Sequence, residues 1–176
     1  MVDLRKELGD IIRDYGSDYL LIKAKKTIPC KCVAGNHGTA RDDCPVCLGT
    51  GYLVKAVRVR GRSAIAAIPE TLPRMMSNAE PGQVAVPSKQ FYLNYKSRPY
   101  RKDLIVVCEW DGNVPIIDEY SEIFEVNEVD PNRGDNGRIE YFIASAKGDP
   151  INSKVRLANI ISNSKKEFYV SVGDEE

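Results

Sequence analysis

The sequence predicts a mainly β fold, a small barrel or sandwich preceded by one helix. Short apolar stretches, alternating or near-continuous, recur from Tyr19 onward, turn residues separate them, and helical periodicity is confined to the first fifteen residues. The chain has 176 residues, 43% hydrophobic and 28% charged, the size of one domain carrying a small inserted module. No apolar run approaches the ~18 residues needed to span a bilayer, so no membrane association is expected.

Leu4, Leu8, Ile11, Ile12 and Tyr15 fall on one helical face. Asp3 can cap the free amides of the first turn, and Gly16 is expected to end the helix in a left-handed conformation. The apolar stripe is expected to pack on its own domain, the alternative being a neighbouring subunit. Asp3, Arg5, Lys6, Glu7 and Asp10 interrupt what would be the apolar core of a secretory signal, so synthesis and residence in the cytosol are expected.

Tyr19 to Lys25 reads as a strand around Leu20, Leu21 and Ile22, and Tyr52 to Arg60 as a second, alternating Val57 and Val59 with Lys55, Arg58 and Arg60. Residues 30–52 then form the tip of a long hairpin. Residues 61–90 hold Pro69, Pro73, Pro81 and Pro87 among apolar residues, which argues against continuous helix or central strand. This stretch is expected to be a long apolar loop buried at an interface, or an irregular strap over the β core. Phe91 to Lys96, Leu104 to Trp110, Ile123 to Val129, Ile139 to Ile143 and Phe168 to Val172 complete the strand series, and Gly173 to Glu176 reads as a frayed acidic tail. The chain thus divides into residues 1–29 (helix and first strand), 30–52 (a four-cysteine module), 53–90 (strand and proline-rich loop) and 91–176 (barrel or sandwich), together one domain with an inserted module.

Four of the five cysteines lie within eighteen positions, as Cys30 and Cys32, then Cys44 and Cys47. Tetrahedral zinc takes thiolates in two chelating pairs at ~2.3 Å, and Cys44-Pro45-Val46-Cys47 has the spacing of a metal knuckle. Pro45 helps to fix the turn, while Gly49 and Gly51 let the backbone direct amides at sulfur. In extended chain Cys30 and Cys32 project from one face and can reach the same ion. A structural, closed zinc site follows, and the hairpin loop is zinc-stapled. Disulfides are disfavoured in a reducing compartment, and a redox CxxC would open a helix in a βαβ unit, a pattern this chain lacks. His37, the sole histidine, lies between the pairs and is the alternative ligand for Cys30 or Cys32. Cys108 reads as a core residue.

Formal net charge is zero, but residues 1–62, 63–108 and 109–176 carry +5, +3 and −8. That polarity suits head-to-tail contacts between copies, or else solvated faces of one domain. It does not suit a general nucleic-acid binder, although Lys31, Arg41, Lys55 and Arg58 could grip phosphates beside the cysteine loop, as a nucleic-acid-binding zinc module would. GxSxG, P-loop and GxGxxG patterns are absent, and one histidine leaves little material for triad chemistry, so the chain reads as a non-enzyme. Asp118-Glu119 and Glu122, Glu125, Glu128 read as solvated faces.

Cys44-Pro-Val-Cys47-Leu-Gly-Thr-Gly51 resembles half of a zinc module from the cysteine-rich region of J-domain co-chaperones, but its partner here is CxC and occurs once, so chaperone function does not carry over. The helix, Asp14-Tyr15-Gly16 and Leu20-Leu21-Ile22, the four-cysteine insertion ending at Tyr52, Arg101 to Ile105 and Glu122 to Val126 together are similar to small virion proteins of tailed bacteriophages, the neck or head-completion (head-to-tail connector) proteins. That resemblance implies a structural protein of the virion, assembled in the host cytoplasm. It implies a homo-oligomeric ring between the portal or adaptor and the tail side, with DNA passing through the lumen. A tail-end or baseplate ring is the alternative within the same family of roles.

Overall fold

The computed structural model describes residues 3–35, 37–65, 88–134, 136–148 and 153–164. Most of the proline-rich loop, the strand expected at 168–172 and the acidic tail lie outside them. The chain is mainly β, with an N-terminal helix, as expected. The elements are α1 (Leu4–Tyr15), β1 (Ser17–Pro29), α2 (Lys31–Gly35), β2 (Tyr52–Ile65), β3 (Ser88–Asn94), β4 (Leu104–Val107), β5 (Glu109–Asp111), β6 (Val114–Ile116), β7 (Glu122–Arg133), β8 (Ile139–Gly148) and α3 (Ser153–Ser164). Six strands pair antiparallel in the closed cycle β1-β2-β3-β8-β7-β4, and β5 and β6 form a separate hairpin.

Alternation along each strand sends one set of side chains to the barrel interior. Tyr19 and Leu21 from β1 meet Val59, Phe91, Leu93, Ile105, Phe124 and Val126 there. Three aromatic rings form its centre, Tyr19 edge-on to Phe91 at 5.3 Å and Phe91 edge-on to Phe124 at 5.6 Å. The small Ala144, directly across from Phe91, and Ala146 leave room for them. Leu20 and Ile22 point the other way, into a second cluster with Ala56, Leu104, Val106 and Ile123 that Leu48 and Ile160 cover from outside. The unbroken apolar run Leu20-Leu21-Ile22 therefore reflects a strand buried on both faces.

β1 pairs with β4 only over Leu20–Ile22, whereas its pairing with β2 continues through Lys25 and, after a bulge, to Pro29 and Tyr52. Beyond Ile22 the two strands thus leave the barrel as a two-stranded ribbon. Asp103, fully buried, marks the point of departure, its carboxylate accepting from the amides of Ala24 at 3.1 Å and Tyr100 at 2.7 Å.

Several expectations need correction. Gly16 is extended (φ −82°, ψ 159°), not left-handed; a Cβ there would sit 2.2 Å from the Ile12 carbonyl oxygen and 2.8 Å from that of Gly61, so glycine is required by close approach. Arg60 caps the helix instead, donating to the carbonyls of Ile12 and Arg13. The apolar stripe of α1 is only partly used, because Ile12 is buried while Leu4, Ile11 and Tyr15 are exposed. Arg5 holds the helix down, lying 3.8 Å from the Tyr95 ring centre, pairing with buried Glu140 and donating to the Ile139 carbonyl. The run from Leu104 to Trp110 is broken at Cys108, where β4 ends and the chain turns away as β5. The expected loop at 61–90 is strand at both ends, up to Ile65 and from Ser88. Finally, α3 has no counterpart in the expected elements, and among the described residues no helix is long and apolar enough to cross a membrane.

Candidate metal centre

The ribbon delivers the cysteines to one point. Pairing of Pro29 with Tyr52, extended by the Cys30 amide donating to the Gly51 carbonyl at 2.9 Å, closes the hairpin just before the first ligand. The chain then makes the single turn α2, which carries Cys32. The expectation that Cys30 and Cys32 share an extended face is therefore wrong in its backbone and right in its consequence, since Cys30, just ahead of the turn, and Cys32, within it, still bring their sulfurs into one cluster. Cys44 and Cys47 come from a tight turn in which the Leu48 amide donates to the Cys44 carbonyl (3.0 Å) and the Thr50 amide and hydroxyl both reach the Cys47 carbonyl (2.9 and 2.7 Å).

All four sulfurs lie within 4.8 Å of one another. Cys30 and Cys44 are 3.9 Å apart, Cys32 and Cys47 3.5 Å. A tetrahedron of thiolates at ~2.3 Å from one ion has edges of about 3.8 Å, so the spacing suits a shared ion, and all four cysteines are free thiols. Three of them are buried and Cys32 is half-buried, with no fifth ligand in the set. The arrangement can hold a metal in a saturated thiolate shell, which leaves no coordination position for substrate.

The backbone is shaped to the sulfurs. Leu48, Gly49 and Gly51 all have positive φ (53°, 81° and 82°), which turns successive amides inward. Burial pushes the Cys47 thiol up to about 12 even though the Gly51 and Gly49 amides donate toward its sulfur. Burial also raises Cys30. At Cys44 burial is outweighed by the amides of Cys47 and Val46 and by the neighbouring Cys47 and Cys32 thiols, and its pKa falls to about 7. Thiols held protonated by burial must release protons to ligate a cation, so binding here is coupled to pH.

The loop is clamped from behind. Fully buried Leu48 packs with Ile160 of α3 on the outer barrel cluster. The Arg156 guanidinium lies 3.0 Å from where a Cβ on Gly49 would be, and it bonds Glu125 of β7 at 3.1 Å. Asn159 donates to the Asp43 carbonyl. Sequence reasoning missed this support because it assigned no element to residues 153–164.

His37 is exposed, at φ 52°, and is not part of the sulfur cluster. Cys108 is half-buried beside the outer cluster, its thiol pushed up to about 11 by burial and by the Asp118 charge. Of the residues offered as phosphate contacts, Arg58 pairs with Asp18 at 2.6 Å and stacks on Trp110, and Arg41 pairs with Asp43. Lys31 and Lys55 remain exposed. Comparison with protein-family models finds no match for this chain, and comparison with curated proteins finds none either.

Proposed function

We propose that this chain is a structural virion protein of a tailed bacteriophage, a head-to-tail connector subunit that forms a neck or head-completion ring between portal and tail. In this reading the ion in the four-cysteine centre is zinc, and its role is to set the shape of a docking loop. The supporting observation is the closed set of four sulfurs at the end of the β1–β2 ribbon. A saturated thiolate shell fixes loop geometry without chemistry at the ion, and Val46 and Ile28, about half exposed there, are available to a neighbour. The phage resemblance runs loosely over most of the chain and is specific in residues 30–52. The ring contacts the portal or adaptor on one side and tail proteins on the other, with nonspecific contact to DNA in its lumen. A tail-end or baseplate ring would use the same features.

Native mass spectrometry tests both parts in one measurement, the expected result being one zinc per chain and a defined homo-oligomer. Cys44→Ser should lose the metal and the assembly while the barrel stays folded by circular dichroism. Normal assembly of a zinc-free Cys44→Ser protein would sink the role given to the loop.

A second reading, a nucleic-acid-binding zinc module, draws on the ribbon, where Tyr19 to Arg41 hold five Lys/Arg and no Asp/Glu. It requires DNA affinity that falls steeply with salt, with a slope near −0.9 per neutralised phosphate.

A further inference from the structure

Two surfaces of this molecule carry opposite charge and apolar side chains, and they lie on opposite faces of the β1–β2 ladder. The first is the ribbon. Lys55 pairs across from Lys23, and Leu53 from Lys25, so Lys25, Lys55 and Leu53 share one ribbon face, with Ile28 beyond them at the tip. The second is the β5–β6 hairpin. Glu109 pairs with Ile116 and Asp111 with Val114, so two carboxylates and two exposed apolar residues occupy a single face. Its other face is anchored, the Trp110 ring nitrogen donating to the Asp18 carbonyl and Arg58 donating to Gly112 and Asn113. The loop that follows is also built to hold its shape. The Tyr120 amide and the Ser121 hydroxyl both donate to the Asp118 carboxylate, and the Tyr120 ring is left 82% exposed.

Charge on each surface is of one sign over a long stretch. From Asp103 to Asn132 there is no Lys or Arg, while Tyr19 to Arg41 contain no Asp or Glu. Among the described residues Lys25, Lys55, Glu109 and Asp111 take part in no ion pair. The hairpin hangs on Asp18 at one end of β1. Trp110 packs on the ladder face of Leu20, Ile22 and Ala56, whereas Lys25, Lys55 and Leu53 continue the opposite face, that of Leu21 and Val57.

We infer that the hairpin face Glu109, Asp111, Val114 and Ile116 of one copy receives the ribbon face Lys25, Lys55 and Leu53 of the next. The contact is heterologous, because two different patches meet, and it propagates head to tail into a closed ring or an open filament. It rests on the connector reading for the identity of the partner as a second copy, and adds which surfaces join. Opposed lysines and carboxylates set register and encounter rate, and the apolar residues between them supply the buried area.

The test exchanges the charges. One variant carries Lys25→Glu and Lys55→Glu, the other Glu109→Lys and Asp111→Lys; all four positions are exposed, so folding is retained and is checked by circular dichroism. Each variant alone opposes like charges at the contact, whereas an equimolar mixture restores opposite charges at every junction. Sedimentation velocity should show association of each variant weakened by at least about tenfold relative to wild type, and association regained on mixing. Wild-type association should also weaken between low and high salt. If both variants assemble like wild type, these surfaces are wrong and the ring reading stands. If each variant is monomeric and the mixture stays monomeric, the pairing of these two faces is overturned. A wild-type protein that is monomeric at all concentrations overturns this contact and the ring together.

Discussion

The barrel interior and the cysteine centre both bury most of their side chains, but they are held by different forces. Inside the barrel, Phe91, Phe124, Leu21 and Ile105 bury apolar area contributed by strands far apart in sequence. At roughly 25 cal/mol per Å² that burial is cooperative and needs no ligand. Around the sulfurs the apolar neighbours are few, Val33 being the one non-cysteine side chain packed with the cluster, and the backbone adopts positive φ at three nearby positions. Apart from the Leu48–Ile160 contact and the α3 side chains behind it, such a loop depends on an ion to keep its shape. Metal removal should therefore be a local event, and loss of a core side chain a global one.

The largest effect is expected at the barrel centre. Phe91→Ala removes the ring that touches both Tyr19 and Phe124 and should cost about 3–5 kcal/mol in denaturant unfolding. Metal bound per folded chain should not change. A loss under about 1 kcal/mol would mean the interior collapses around the gap, and the contrast between the two regions would fail.

What could be read from the sequence follows the same division. The four ligands were legible because chelation is local chemistry: a CxC and a CxxC within one loop announce themselves whatever the fold. β3 was legible for a similar reason, since Phe91 and Leu93 alternate with Tyr92 and Asn94 and only one face is buried. The closing of the sheet was not, because β4 meets β1 over three residue pairs some eighty positions apart, and no local pattern encodes that partnership. Nor was α3. It buries Ile160 and Arg156, an apolar and a charged residue four apart, so half of its inward face looks polar until Glu125 and Gly49 are seen beside it.

The second effect probes the bridge between the regions. Ile160 is fully buried against the outer barrel cluster together with Leu48, one residue beyond Cys47. Ile160→Ala should cost roughly 2–4 kcal/mol of α3 docking and speed amide exchange in residues 30–52 as well as 153–164. Chelation of the wild-type protein should produce the same pair of changes from the other side, with Leu104–Val107 still protected. Equal loss of protection in β4 on chelation would show that the two regions unfold as one.

The smallest effect belongs to the junction where ribbon leaves barrel. Asp103 accepts from two backbone amides, and asparagine offers one acceptor oxygen, so Asp103→Asn orphans a buried donor and should cost about 1–3 kcal/mol at neutral pH. Its pH dependence decides which force dominates there. Burial raises the Asp103 carboxyl above its usual value of 3.8, against the lowering effect of the Tyr100 and Ala24 amides and of Lys23 and Lys26. A carboxyl raised on folding contributes stability that is complete below its unfolded value and is lost as pH rises through its folded value. Asparagine does not titrate, and metal release in acid is common to both chains and cancels in their difference. The stability gap between wild type and Asp103→Asn should therefore widen as pH falls through the raised folded value toward 3.8, and level off below it. A gap that narrows on acidification would mean that the amides outweigh burial, and that the ionised carboxylate ties the ribbon to the barrel.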